Sequence, residues 1–317
     1  MKVHSILGAE RPSMQNVENI FSQHGEDGVV DSILTSLPER DGWAVEFGAW
    51  DGVFLSNTAA LVEQGYRRVL IEGGESRYRD LKARLAVEPK AIPIHAMVGW
   101  EGDQKLDRIL ARTDVPLDFD VLSIDIDGND YHVWKAVEKY RPKLVVIEFN
   151  PTIRDGIDFV QPADPAVRRG SSLTALVELA ATKRYSLAAT TLCNAFFVTD
   201  ELLPHLDIAD NSIEALHPHS PAVSDVFFGF DGTAVFTGSA GLLWHGLEQP
   251  EEIRLLPRLF VGFPGDFGRV RSVLFGLYRL LRVRKGRRGR SGPSSGPTER
   301  TAVGTGVADR QTSGTAD

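Results

Sequence analysis

Cysteine is almost absent. Cys193 is the only one in 317 residues, so neither an intrachain disulfide nor a cysteine-rich zinc site can form, a usage that fits a reducing cytoplasm. No apolar run approaches the roughly 20 residues that cross a bilayer. The opening MKVHSILGAERPS has no long apolar core of the signal-peptide kind. Neither spanning nor secretion is expected, and the expected location is the cytoplasm. No repeat of about 20–50 residues signals a solenoid or propeller. The dinucleotide fingerprint of three glycines is incomplete, since only Gly48 and Gly52 follow the first strand-like run, which disfavours a nicotinamide-dependent oxidoreductase. No G-x-S-x-G lies between a strand-like and a helix-like run, so serine hydrolysis lacks its usual element.

What is present is an ordinary globular composition, 42% hydrophobic and 25% charged, with an uneven charge distribution. The net charge is -8, yet residues 267–317 hold 11 Lys/Arg against 3 Asp/Glu, leaving residues 1–266 at -16. An acidic body excludes a domain-wide nucleic-acid footprint, because phosphate binding needs a basic face. From Trp43, strand-length apolar runs (43–49, 67–73, 91–98, 118–127, 143–149) alternate with helix-length stretches (56–64, 76–85, 103–112, 131–140, 171–183) and end in two further runs at 185–192 and 194–199. Such alternation predicts a parallel sheet covered on both faces, with ligands at the carboxyl ends of its strands. Upstream, FSQHGEDGVVDSIL (21–34) reads as a loop entering a helix, and the Asp231-Gly232 pair suggests a hairpin turn.

Three groups of polar residues follow these runs. Glu46 to Gly52 lead to Ser56, Asn57 and Thr58, where a helix start offers N–H groups to an anion; alternatively the glycines only turn the chain and Ser56 only caps. Glu72, at the end of the second run, stands where an acidic residue accepts from ribose hydroxyls in nucleotide-binding sheets. Asp125, Asp127 and Asp130 follow the fourth run and Glu148 the fifth, so adjacent strands would gather their carboxylates at one edge. Asp125, Asp127 and Glu148 are oxygen ligands of the kind Mg²⁺ takes. Asp127 and Asp130 are equally suited to cap the next helix.

Taken in order, FSQHGEDG (21–28), VEFGAWDG (45–52) with SNT (56–58), LIEGG (70–74), LSIDIDGNDYHVW (122–134) and LVVIEFN (144–150) resemble the FkbM-type S-adenosylmethionine-dependent methyltransferases over roughly residues 20–200. The resemblance implies a seven-stranded Rossmann-like methyltransferase sheet whose last strand is antiparallel. It further implies that Glu46, Gly48 and Asp51, with Asn57 nearby, shape the pocket for the methionine part of S-adenosylmethionine, that Glu72 holds the ribose, and that Gln23 and Glu26 close over the cofactor. Where many relatives have D-x-E-G, this chain has Asp127, one methylene shorter. The expected organisation is an N-terminal segment (1–42), the cofactor-binding domain (43–200), an acceptor region (201–266), a basic amphipathic helix (267–285) and a disordered tail (286–317). The expected activity is methylation of a hydroxyl on a sugar, polyketide or other small metabolite, with Asp125 and Asp127 catalytic, the hydroxyl being activated either by a base there or by a Mg²⁺ that lowers its pKa. An inactive methyltransferase-fold partner of a glycan pathway is the alternative. Residues 267–290 carry nine basic and no acidic residues, which suggests peripheral contact with an anionic membrane.

Overall fold

In the computed structural model, residues 19–217, 221–239, 241–248 and 250–288 are described. The chain divides into two compact units, one of residues 1–226 and 236–251, the other of 227–235 and 252–317.

The first unit is built on a seven-stranded sheet. Its strands are β1 (Trp43–Phe47), β2 (Arg67–Glu72), β3 (Ala91–His95), β4 (Val121–Ile124), β5 (Leu144–Glu148), β6 (Tyr185–Thr190) and β7 (Asn194–Thr199), in the order β3-β2-β1-β4-β5-β7-β6. β7 runs antiparallel to both its neighbours, while β3, β2, β1, β4 and β5 pair in parallel. This is a Rossmann-like α/β fold. The order steps outward from β1 in both directions, so β1 and β4 flank the point where the topology reverses and their carboxyl ends open the crevice.

Strand alternation explains the two-sided core. Val45, Phe47, Val69, Ile71, Leu122, Ile124, Val145 and Ile147 face one way and pack with Leu106, Ile109 and Leu110 of α3 (Leu106–Leu110), Val133 and Trp134 of α4 (Asp130–Ala136) and Leu176 of α5 (Leu173–Thr182). Ala44, Val121, Leu144 and Val146 face the other way, against Val29, Val30, Ile33 and Leu34 of α1 (Glu26–Ser36). Leu70 packs on Leu81 of α2 (Glu75–Arg84). Three of the helix-length stretches form less helix than their periodicity predicts. Residues 56–64 make one 3₁₀ turn at Ala59–Val62, 103–112 split into a 3₁₀ turn and α3, and 131–140 stop at Ala136.

At the amino ends of the strands a buried ion pair closes the sheet. The Asp120 carboxylate, fully buried, accepts from the backbone N–H of Asp41 (2.9 Å) and Gly42 (2.8 Å) and from Lys143 Nζ (2.7 Å). These bonds join the chain entering β1, β4 and β5.

In the second unit, residues 252–254 pair antiparallel with 233–235, after a turn at Gly229–Thr233. The short helix α6 (Ile213–Leu216) belongs to the first unit, and in the second a helix, α7, spans Arg269–Arg288. It begins two residues later and ends three residues later than the 267–285 stretch picked out by its amphipathic pattern. Beyond Arg288, the tail read as disordered lies outside the described residues, as do residues 1–18 of the N-terminal segment.

Asp120→Ala leaves two backbone N–H groups without their acceptor and Lys143 with only Asp41 at 3.5 Å, so it should lower unfolding stability by about 2 kcal/mol. A denaturant melt would show it as a lower midpoint, and an unchanged midpoint would deny Asp120 its role in closing the sheet.

Candidate active site

Glu46 is the fourth residue of β1 and is buried. Its carboxylate accepts from Ser56 Oγ (2.6 Å), Asn57 N (3.0 Å) and Thr58 Oγ1 (2.5 Å), which folds the 48–58 loop back onto the strand that precedes it. Asn57 Nδ2 then donates to Ser123 Oγ on β4 (3.1 Å). Asp51 Oδ1 accepts from Val53 N and Phe54 N and makes a local turn. At Gly48 φ is +73°, and a Cβ there would lie 2.0 Å from the Asp125 carbonyl oxygen, so the loops after β1 and β4 meet main chain to main chain.

Glu72 ends β2 and is buried. Its Oε2 accepts from Trp50 N (3.1 Å) and its Oε1 from Gly74 N (2.7 Å). Upstream of the sheet, the Glu26 carboxylate bridges His24 N (2.7 Å) and Thr191 Oγ1 (2.6 Å), tying the 21–28 motif to the turn between β6 and β7, whereas Gln23 is exposed.

Two cavities lie at this edge. One, of about 510 Å³, is walled by Phe47, Gly48, Ile71, Met97, Trp100 and Asn129 among others, spanning the ends of β1, β2, β3 and β4. The other, of about 550 Å³, is walled by Asp127, Glu148, Asn150, Arg169, Trp244 and His245 among others. Both fall within the roughly 300–1,000 Å³ of small-molecule sites. Arg168 belongs to both walls and its Nη1 pairs with Asp127 Oδ2 at 3.3 Å.

The segment between the cavities is held by three polar side chains. Gln161, almost fully buried, accepts on Oε1 from Arg169 N and Gly170 N and donates to the Val167 carbonyl. Asn129 Nδ2 donates to the carbonyls of Asp164 and Val167, and Asn150 Nδ2 to that of Arg169. The sequence pattern did not single out Gln161, because a loop has no periodicity to mark its anchors. Arg68 was missed as well. It is buried inside β2, pairs with both oxygens of Glu88 and donates to the Gly52 carbonyl at 3.0 Å. A charge within an apolar strand was its visible signal.

Asp125, Asp127 and Glu148 come together, each offering an oxygen within 4.8 Å of the others. Asp130 turns away, accepting from Ile126 N and Gly128 N, so it closes the loop. Burial, then repulsion from Asp130 and Asp127, holds the Asp125 carboxyl well above the usual carboxylate range. Burial and the Asp125 charge do the same to Glu148. Burial outweighs the backbone donors at Asp130 and raises it to about 6. Cys193, close by, is pushed up to about 12 by burial and the same acids. Asp125, Asp130 and Glu148 therefore each hold a proton more readily than an exposed acid does.

No family model and no curated protein matches the chain. Among solved structures, it is similar to the glycopeptide N-methyltransferase MtfA complexed with S-adenosylmethionine (13% identity over 55% of this chain and 86% of that one, TM-score 0.35). It is also similar to the N-terminal domain of EvdMO1 in the presence of S-adenosylhomocysteine and D-fucose (14% identity, 55% and 82%, TM-score 0.37) and to M. jannaschii TYW2 in complex with AdoMet (13% identity, 57% and 78%, TM-score 0.33). At this distance neither activity nor substrate passes from them to this chain.

The raised carboxyls set a direction for stability. Asp130 binds its proton more tightly folded than unfolded between its ordinary 3.8 and about 6, and Asp125 and Glu148 likewise do so above their ordinary values. Stability is therefore greatest at low pH in this window and falls as pH rises through it. Glu148→Gln should raise the melting midpoint at about pH 8 and change it little at about pH 5. An equal effect at both would mean that the Glu148 charge contributes nothing to the instability.

Proposed function

We propose that this protein is an S-adenosylmethionine-dependent O-methyltransferase acting on a hydroxyl of a sugar, polyketide or other small metabolite. The observation that carries the reading is Glu72. Each of its oxygens takes one backbone N–H and keeps a lone pair, one residue beyond Ile71 in the wall of the 510 Å³ cavity. Such a carboxylate accepts from both hydroxyls of a ribose. The strand ends beside it lack side chains, since a Cβ at Gly73 would meet Met97 Sδ at 2.1 Å and one at Gly48 the Asp125 carbonyl. Asn129 Oδ1, buried in the same wall, has no partner among the described residues and suits a donor on the ligand. The order of motifs resembling the FkbM-type family supports the same assignment, and the lone, buried Cys193 supports a cytoplasmic location.

When bound, S-adenosylmethionine supplies a methyl group already activated on a sulfonium sulfur. The chain's task is to align donor and acceptor, and positioning of this kind supplies about 7–11 kcal/mol. Glu46, through its bonds to residues 56–58, fixes the loop that shapes the donor cavity. The 550 Å³ cavity takes the acceptor, with Trp244 as an apolar wall and Asp127 and Glu148 as acceptors for its hydroxyls. Glu72 would hold the ribose of the cofactor, which would supply the methyl group to the acceptor oxygen and keep the carbon–sulfur electron pair as a thioether. The hydroxyl proton passes to the Asp125–Asp127 pair, where the raised proton affinity of Asp125 suits it to receive one.

A second reading rests on the 4.8 Å cluster. Asp125, Asp127 and Glu148 fit a hard divalent cation such as Mg²⁺, which would hold the acceptor oxygen and ease its deprotonation. The alternatives to transfer are an inactive glycan-pathway partner and a nicotinamide-dependent oxidoreductase, and both are tested by calorimetric titration with S-adenosylmethionine and with NAD.

Glu72→Ala should weaken S-adenosylmethionine binding by roughly tenfold or more, since a hydrogen bond to a charged group contributes about 1.5–3 kcal/mol. Unchanged calorimetric affinity in the folded variant would reject the ribose assignment. Exhaustive EDTA treatment should leave turnover intact if the carboxylates act as base. Loss of turnover restored by Mg²⁺ would assign them to the metal instead.

A further inference from the structure

α7 presents two different faces. One holds the helix in its own unit. Phe275 packs on Phe260 and Phe267 (ring centroids 5.4 and 5.5 Å), Tyr278 on Phe260 (5.0 Å), and Arg271 donates to the carbonyls of Leu259 and Val261 while its guanidinium lies 3.8 Å over the Phe267 ring. The other face is the apolar stripe of Val270, Val273, Leu274, Leu277, Leu280 and Leu281. At about 100° per residue these six fall within an arc of about 120°, and Phe275 and Tyr278 lie outside it. The stripe is not what docks the helix, because all six are 41–75% exposed.

The sequence of the helix names what covers the stripe. Arg269–Arg288 contains eight basic residues and no acidic one, and four of the eight, Arg284, Lys285, Arg287 and Arg288, cluster in its last turns. A second copy would bring sixteen positive charges together around the apolar contact. An anionic lipid surface satisfies both features at once, taking the stripe into the acyl boundary and the guanidinium groups among the headgroups. No helix of the described residues is long and apolar enough to cross a membrane, so the helix would lie in the interface.

We propose that α7 is a reversible membrane anchor that binds anionic lipid bilayers through its Val/Leu stripe and its basic C-terminal turns. This rests on the second unit alone and is independent of the methyl-transfer reading. The test is sedimentation of the full chain with vesicles of phosphatidylcholine, alone or mixed with phosphatidylglycerol. The chain should pellet with the mixed vesicles at low salt, stay soluble with phosphatidylcholine alone, and be released by high salt. The exposed pair Leu277→Asp/Leu281→Asp should cut vesicle binding by about tenfold or more with the melting midpoint unchanged. Replacing the four terminal basic residues with Gln should remove the dependence on phosphatidylglycerol. A full chain that stays in the supernatant at low salt overturns the proposal, as does equal pelleting with neutral vesicles. Light scattering that shows a dimer abolished by Leu277→Asp, without vesicle binding, would give the stripe to a second copy instead.

Discussion

The site depends on two loops touching where the first has no room for a side chain. Gly48 after β1 faces the Asp125 carbonyl so closely that no Cβ fits between them. Around that contact the other restraints are arranged. Glu46 pulls residues 56–58 onto β1, Asn57 crosses to Ser123, and Arg68 pins the Gly52 carbonyl to β2. Because the contact is main chain to main chain, the strand ends are placed by backbone geometry rather than by flexible side chains. The crevice between them is thereby preorganised.

Gathering carboxylates at one buried edge works against folding. Asp125, Glu148 and Asp130 each hold protons more tightly than an exposed acid, because burial and like charges penalise the ionised forms. The sheet tolerates this because its two faces are fully covered and its opposite edge is closed by Asp120 and Lys143. Strain at a strand-end cluster, supported by an otherwise consistent core, is the pattern found where a site is kept at the expense of stability.

The fold was largely legible because its signals are local. Leu144–Ile147 read as one apolar run and are completely buried, and the 171–183 stretch forms α5 over all but its ends. The 56–64 stretch was less legible. Its apolar spacing suits a helix, but Glu46 takes the Asn57 N–H and the hydroxyls on either side, so only one 3₁₀ turn forms. The carboxylates of the site were visible from their place after strands. Their partners were not: Gln161 and Arg68 act on carbonyls and carboxylates brought near only by the fold, and single-chain periodicity carries no trace of such pairings.

The segment between the two cavities is gripped mostly by its main chain. Asn129, Asn150 and Gln161 bind the carbonyls and N–H groups of residues 164–170, and Arg168 adds a side-chain pair with Asp127. Within it the Gly170 position favours glycine, since φ is +67° and a Cβ there would lie 3.0 Å from Asn150 Cβ. Ala163 and Pro165 line one cavity, Arg169 the other and Arg168 both, so one short stretch of chain sets the walls of two separate spaces.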